Sequence, residues 1–184
     1  MTILVANRRS KPENLRKKHG EDIEIIDVTS KAGEPWVRFS PFWPHGSIPV
    51  PFSDGMFGTC VEGIWQALKV FDSEDVDESK LHITNMKGLK RTVRRLGKVL
   101  GHRRGLSGDE LLPYRQAREL IYLPIYKWVL DNCVQRELEQ LREIASKKTV
   151  VLLDYQTNGD LDDLKTPLSH AALVKRYLED DWPV

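Results

Sequence analysis

Residues 2–28 read TILVANRRSKPENLRKKHGEDIEIIDV, and this segment sets the fold class. The β-branched and apolar runs at Thr2–Val5 and Ile23–Val28 are typical of strands. Between them, Pro12–Gly20 predicts a short exposed helix, with proline near its start and glycine at its end. A strand, a helix and a second strand in this order indicate a domain that mixes both kinds of structure.

The rest of the chain adds one clear strand and several helices. Lys148–Tyr155 reads KTVVLLDY and predicts the clearest buried strand in the chain. Apolar residues at helical spacing predict helices over Thr59–Phe71, Met86–Leu96, Asp109–Asn132 (interrupted at Pro113 and kinked or broken near Pro124), Val134–Ala145 and Leu168–Leu178. We therefore expect an α/β or α+β fold, with one domain over residues 1–184, mainly helical around a small mixed sheet.

Composition and missing motifs exclude several function classes. The 184 residues carry a net charge of +1, so no global field directs the protein to nucleic acid or membrane. Cys60 and Cys133 lack the spacing of a zinc site, and the five histidines are scattered, so we expect no metal, no cofactor and a reducing cytoplasm. The sequence shows no dinucleotide fingerprint, P-loop, nucleophile elbow or zincin motif, and its apolar runs are too short to span a bilayer.

Residues 39–71 read FSPFWPHGSIPVPFSDGMFGTCVEGIWQALKVF and hold the candidate site. Proline-rich sequence up to Asp54 predicts an ordered loop that lies on the body of the protein through its aromatic side chains. Two roles for these aromatics stay open, since they either form core or stack a flat ring of a ligand. The cluster comprises Trp36, Phe39, Phe42, Trp43, Phe52 and Phe57.

The helix expected after this loop carries one polar stripe on an otherwise apolar surface. Glu62, Gln66 and Lys69 follow at i, i+4 and i+7, so their side chains should point into the same space. Glu62 is either a first-turn acid that complements the helix dipole or a sheltered carboxyl group that serves acid/base chemistry. The aromatic loop before it favours the second role.

A basic segment follows the acidic linker Asp72–Glu78. The predicted helix over Met86–Leu96 has a dense basic face, which is either a solvated surface or a contact for phosphate groups. Its cationic members are Lys87, Lys90, Arg91, Arg94, Arg95 and Lys98. Further along, Asp154 ends the buried strand at a place where α/β folds position functional groups, and His170 is expected at the surface or as a cap.

Several of these segments resemble the NADAR family, which is associated with NAD and ADP-ribose metabolism. The matching stretches are Phe39–Pro44, Asp54-Gly55, Thr59–Glu62, Gln66–Lys69 and Arg94–Lys98. The family's histidine after the glutamate is Gly63 here, and its closing Asp-x-x-Trp-Gly motif is missing, so the chain resembles a divergent member.

The resemblance implies hydrolysis of an N-glycosidic bond in a nucleotide-like or ADP-ribose-like substrate. Glu62 would be the catalytic residue of this possible enzyme. Residues expected to bind substrate are Phe39, Phe42, Trp43, Trp65, Gln66, Lys69, Arg94 and Lys98. Two alternatives stay open: a catalytically inactive nucleotide-binding module, or an accessory protein that contacts nucleic acid weakly through Lys87–Arg104.

Overall fold

A computed structural model describes residues 1–183 of the chain. These residues divide into two compact units, a first unit of residues 1–40 with residues 134 onward, and a second unit of Pro41–Cys133. The predicted α/β or α+β class is confirmed, since helices alternate with short strands in three small sheets. The single domain over residues 1–184 stays a prediction.

In chain order the helices and strands are β1 (Ile3–Asn7), α1 (Pro12–His19), β2 (Ile23–Asp27), β3 (Ile48–Pro49), β4 (Phe57–Gly58), α2 (Val61–Ala67), β5 (Lys69–Phe71), α3 (Val93–Leu96), β6 (Val99–Arg103), β7 (Leu111–Leu112), α4 (Tyr114–Ala117), α5 (Leu123–Asn132), α6 (Gln135–Lys147), β8 (Thr149–Asp154) and α7 (His170–Leu178). Two 3₁₀ turns, Trp36–Phe39 and Glu78–His82, and a π-helical segment, Arg118–Tyr122, complete them.

The first unit is built on a parallel sheet with the order β1-β8-β2. Its central strand β8 is the buried strand that the sequence predicts, and Val150, Val151 and Leu152 are fully buried. Helix α1 packs against β2, and its Leu15 belongs to the same apolar cluster as Ile23 and Val151, while α6 and α7 pack against β8. Burial on both faces explains why this strand is apolar throughout.

The second unit contains a three-stranded antiparallel sheet with the order β5-β6-β7 and the two-stranded pair β3-β4. Helix α2 packs against the 3₁₀ turn Glu78–His82 and the π-helical segment. Leu81, on that turn, is fully buried. The sheet and the helix carry Glu62, Trp65, Gln66, Lys69 and His102 of the candidate site described below.

Two predicted helices of the second unit are wrong in extent. The helix expected over Thr59–Phe71 ends at Ala67, because Lys69–Phe71 pairs with β6 as a strand. The basic helix shrinks to Val93–Leu96, since Met86 and Gly88 adopt positive φ angles that a helix does not allow. At its other end α2 begins at Val61 with Cys60 as its N-cap, two residues after the predicted start at Thr59.

The helix expected over Asp109–Asn132 begins only at Tyr114, after the short strand β7. It then runs through α4, the π-helical segment and α5 without leaving a helical conformation. The irregularity expected near Pro124 is therefore one wide turn just before it, because proline cannot donate the usual backbone hydrogen bond. Wide turns of this kind occur often at functional sites.

Candidate functional site

Helix α2 fixes the position of Glu62 through close packing of its first turn. The Cys60 thiol accepts a hydrogen bond from the Gly63 N–H over 3.2 Å, and the Glu62 N–H donates to the Pro41 carbonyl over 2.8 Å. Gly63 has no room for a side chain, because a Cβ atom there would lie 2.6 Å from the Lys80 carbonyl oxygen. The glutamate is thus held at the start of a tightly packed helix, beside the loop that carries the aromatic residues.

The Glu62 side chain is half-buried, and its carboxylate accepts a hydrogen bond from the Gln66 Nε2 over 2.9 Å. Burial raises the pKa of Glu62 above its ordinary value, while Gln66 and the charges of Lys69 and Lys90 pull the pKa down. The net direction is upward, because desolvation of a carboxylate outweighs these interactions. A carboxylate whose pKa is raised by burial is a stronger base than an ordinary one, which suits it to acid/base chemistry.

Gln66 is buried and is oriented by Arg91. The Arg91 N–H donates to the Gln66 Oε1 over 3.0 Å, so the amide of Gln66 must turn its Nε2 toward Glu62. The Arg91 guanidinium in turn donates to the Gln66 and Lys69 carbonyls and to the Asp75 carbonyl. Arg91 is therefore buried and connects α2, β5 and the acidic linker through hydrogen bonds. The prediction that it belongs to an exposed basic face is wrong.

Two ammonium groups act on Glu62. Lys69, at the start of β5, is half-buried with its Nζ 5.8 Å from the centre of the Trp65 ring, and Lys90 is exposed with its Nζ 5.6 Å from the centre of the Phe42 ring. Burial lowers the pKa of Lys69, with Arg91 and Lys90 adding to the effect and Glu62 opposing it. Within residues 1–183 neither lysine forms a contact ion pair with a carboxylate, so both cations are available to an anionic ligand.

Trp65 forms an aromatic wall next to this cluster. Its ring centre lies 3.7 Å from that of His102, 5.6 Å from Tyr122 and 6.1 Å from Tyr114. The π-helical segment carries Tyr122 to this position, edge-on to the indole. Only 8% of Trp65 is exposed, so its ring is largely covered by these neighbours.

The remaining predicted site residues lie in different environments. Phe39 belongs to the first unit, is fully buried and stacks on Trp36, so its ring offers no face to a ligand. Phe42 and Trp43 are half-buried in the second unit. Arg94 and Lys98 are exposed on and just after α3, whereas Lys90 is the cation of this segment whose charge reaches Glu62.

Sequence reasoning did not assign Lys90, Arg91, His102 and Tyr122 to the site. Lys90 and Arg91 were visible as members of a basic run, but their separate roles depend on the burial of one and the exposure of the other. His102 and Tyr122 approach Trp65 from distant parts of the chain. Local sequence patterns do not predict contacts between residues this far apart in the chain.

A second polar cluster occupies the end of β8 in the first unit. The Asp154 Oδ2 accepts from the Ser169 hydroxyl over 2.8 Å and lies 3.0 Å from the His170 Nδ1, while the His170 Nε2 lies 2.8 Å from the Val28 carbonyl oxygen. Both ring nitrogens of His170 thus face acceptors, which requires the doubly protonated ring. His170 is buried, which corrects the surface position expected for it.

This cluster does not have the geometry of a serine nucleophile with its base. The Ser169 hydroxyl donates to the carboxylate, and the outer nitrogen of His170 is occupied by a backbone carbonyl. Burial lowers the pKa of His170, but the Asp154 charge and the hydrogen bonds outweigh burial and raise it. The cluster is a buried ion pair that ties α7 to the sheet.

Among residues 1–183, no group of three or more histidine, cysteine, aspartate or glutamate side chains is arranged to hold a metal ion. None of the helices described above is long and apolar enough to cross a membrane. Cys60 and Cys133 are both thiols.

Comparison with known proteins adds one assignment. A search of curated proteins finds no match to the chain. A family model described as a family of unknown function, DUF6939, matches residues 7–174 and so covers most of both units. The chain therefore belongs to the family DUF6939.

Proposed function

We propose that the second unit hydrolyses an N-glycosidic bond in a phosphorylated, nucleotide-like substrate, with Glu62 as the catalytic residue. The observation that carries this proposal is a half-buried carboxyl group that accepts a hydrogen bond from the buried Gln66 and interacts electrostatically with Lys69 and Lys90, neither of which forms a contact ion pair among residues 1–183. The resemblance of residues 39–71 to the NADAR family supports the same reaction class.

In the proposed reaction the Glu62 carboxylate takes a proton from water while the water oxygen bonds to the anomeric carbon of the sugar. The carbon–nitrogen bond breaks and its electron pair stays on the leaving nitrogen. When the leaving group is adenine, that nitrogen takes up the proton from Glu62; nicotinamide leaves as a neutral ring, and the proton passes to solvent. A raised pKa makes Glu62 a stronger base, and its negative charge stabilises an oxocarbenium-like transition state. Gln66 holds the carboxylate in position through its amide.

The charges favour a substrate with an anionic group. Lys69 and Lys90 flank Glu62 and bind a phosphate, while the half-buried rings of Phe42 and Trp43 stack its base. Trp65 serves as a covered wall of the site, because little of its surface is exposed. Two thiols and no disulfide among residues 1–183 suit the cytoplasm that we propose as its compartment.

The test is release of free base from AMP, nicotinamide mononucleotide and ADP-ribose, measured by chromatography. We expect Glu62→Gln to lower the rate by about 10²- to 10⁴-fold, because general base catalysis contributes that much. Glu78→Gln is the matched control, since Glu78 is exposed elsewhere in the same unit. Wild-type protein that binds these compounds but releases no base would instead make the unit an inactive nucleotide-binding module.

The exposed cations favour a second candidate, a weak contact with nucleic acid. Lys87, Arg94 and Lys98 are exposed, but Arg91 is buried and Arg103 and Arg104 are paired with Asp75 and Glu110. A steeply salt-dependent gel shift that Arg94→Glu with Lys98→Glu abolishes would support this candidate. An unchanged shift in that variant would remove it.

A further inference from the structure

His102 lies in the second unit beside Trp65, which follows the proposed catalytic residue Glu62 by about one turn of α2. It is the register partner of Lys69 across β5 and β6, and directly opposed residues of an antiparallel pair project to the same face. Its ring centre lies 3.7 Å from that of Trp65, and the residue is 1% exposed. His102 and Lys69 therefore project from the same face of the sheet beside Trp65, and the charges of Lys69 and Glu62 interact.

The imidazole of His102 is buried with neither ring nitrogen hydrogen-bonded among residues 1–183. Burial and the charge of Lys69 lower the pKa of His102 to about 3, so the ring is neutral and carries one donor and one acceptor. Packing against Trp65 does not require these polar atoms, because a phenylalanine ring would pack there without them. Buried polar groups without partners are rare and call for a functional reason.

We propose that His102 is the specificity-determining residue of this site, hydrogen-bonding the edge of a heteroaromatic base while Lys69 and Lys90 hold the phosphate of the same ligand. The inference rests on the proposed function and names the ligand class, a nucleoside monophosphate. A neutral imidazole has one donor and one acceptor, which matches the hydrogen-bonding edge of a base. An anion needs only donors and positive charge, and Lys69 and Lys90 already supply both. Because Lys69 projects from the same face as His102, a phosphate held by Lys69 places the rest of the ligand near the imidazole.

The experiment compares AMP with ribose 5-phosphate, which has the same phosphate and sugar but no base. Dissociation constants are measured by calorimetry for wild type, His102→Phe and His102→Gln. We expect His102→Phe to weaken AMP binding by about tenfold, the loss of one hydrogen bond, and to leave ribose 5-phosphate binding unchanged. His102→Gln, whose amide keeps a donor and an acceptor, should recover most of the AMP affinity.

A second measurement covers the case in which His102→Phe fails to fold. With ¹⁵N-labelled histidine, AMP should shift one pair of ring nitrogen signals in wild type, and His102→Gln should remove that pair. Ring signals that do not respond to AMP, or a loss of affinity equal for both compounds, would overturn the role of His102 while leaving the phosphate site intact. If wild type binds neither compound, the proposed function fails as well.

Discussion

The Gln66 Nε2 donates to the Glu62 carboxylate over 2.9 Å, and the same amide accepts from the Arg91 N–H over 3.0 Å. A backbone donor 25 residues later in the chain therefore fixes the direction in which Gln66 presents its own donor. The orientation of the carboxyl group at the centre of the candidate site thus depends on Gln66, a side chain that is itself buried.

Gln66→Met should destabilise the second unit and raise the pKa of Glu62 further. The buried Arg91 N–H loses its acceptor, at a cost of about 1–3 kcal/mol, and Glu62 loses the hydrogen bond that favours its ionised form. Urea unfolding measures the first effect and carboxyl ¹³C titration the second. Gln140→Met, at an exposed position of the first unit, is the control and should change neither.

Glu62→Gln should stabilise the protein at neutral pH, by about 1 kcal/mol. A carboxyl group whose pKa is raised by folding binds its proton more tightly in the folded state, so its contribution to stability falls as pH rises from its ordinary value of 4.5 through the folded pKa. The difference in the free energy of unfolding between Glu62→Gln and wild type should therefore shrink as pH falls below that ordinary value. Urea unfolding at neutral pH tests this prediction. If Glu62→Gln is less stable than wild type there, the buried Glu62 charge does not destabilise the folded protein.

His170→Phe should destabilise the first unit by about 3–5 kcal/mol, because Asp154 is left buried without its counter-ion. Burial raises the pKa of Asp154, but His170, Ser169 and the Tyr155 N–H outweigh burial and lower it. Urea unfolding at constant ionic strength measures the loss. His82→Phe, at an exposed position, is the control and should leave stability nearly unchanged.

The same ion pair gives stability a pH window. The contribution of His170, whose pKa is raised, is fully present below its ordinary value of 6.5 and is lost as pH rises through the folded pKa. The contribution of Asp154, whose pKa is lowered, is present above its ordinary value of 3.8 and is lost as pH falls through the folded pKa. The measurement is the free energy of unfolding of wild type minus that of His170→Phe as a function of pH. If this difference stays constant below pH 3.8 and above pH 6.5, Asp154 and His170 do not form a stabilising ion pair.

Gly63→Ala should destabilise the second unit by about 1–3 kcal/mol, since the added methyl group would lie 2.6 Å from the Lys80 carbonyl oxygen and force the backbone to move. Because Gly63 follows Glu62, the shift should also lower activity. Gly33→Ala is the matched control, as a Cβ atom there has no neighbour within 4 Å. Thermal unfolding of both variants measures the difference, and equal midpoints would contradict the close approach.

Local sequence patterns predicted the framework of the first unit correctly. The elements β1, α1, β2 and β8 lie within two residues of their predicted ends, because alternation, β-branched runs and a proline–glycine pair act over a few neighbouring residues. Glu62 was also recognisable, as a single acid at the start of an apolar helix. These features depend on the conformational preferences of neighbouring residues, which act locally and can therefore be read from the sequence.

Tertiary contacts decided the rest. Lys69 leaves the helix because its backbone pairs with His102, and Arg91 leaves the basic face because its guanidinium donates to carbonyls of α2, β5 and the linker. His170 is buried because Asp154 pairs with it across the end of the sheet. In each case a charged or polar side chain gains partners that are far away in sequence, and such an energy gain exists only once the chain has folded.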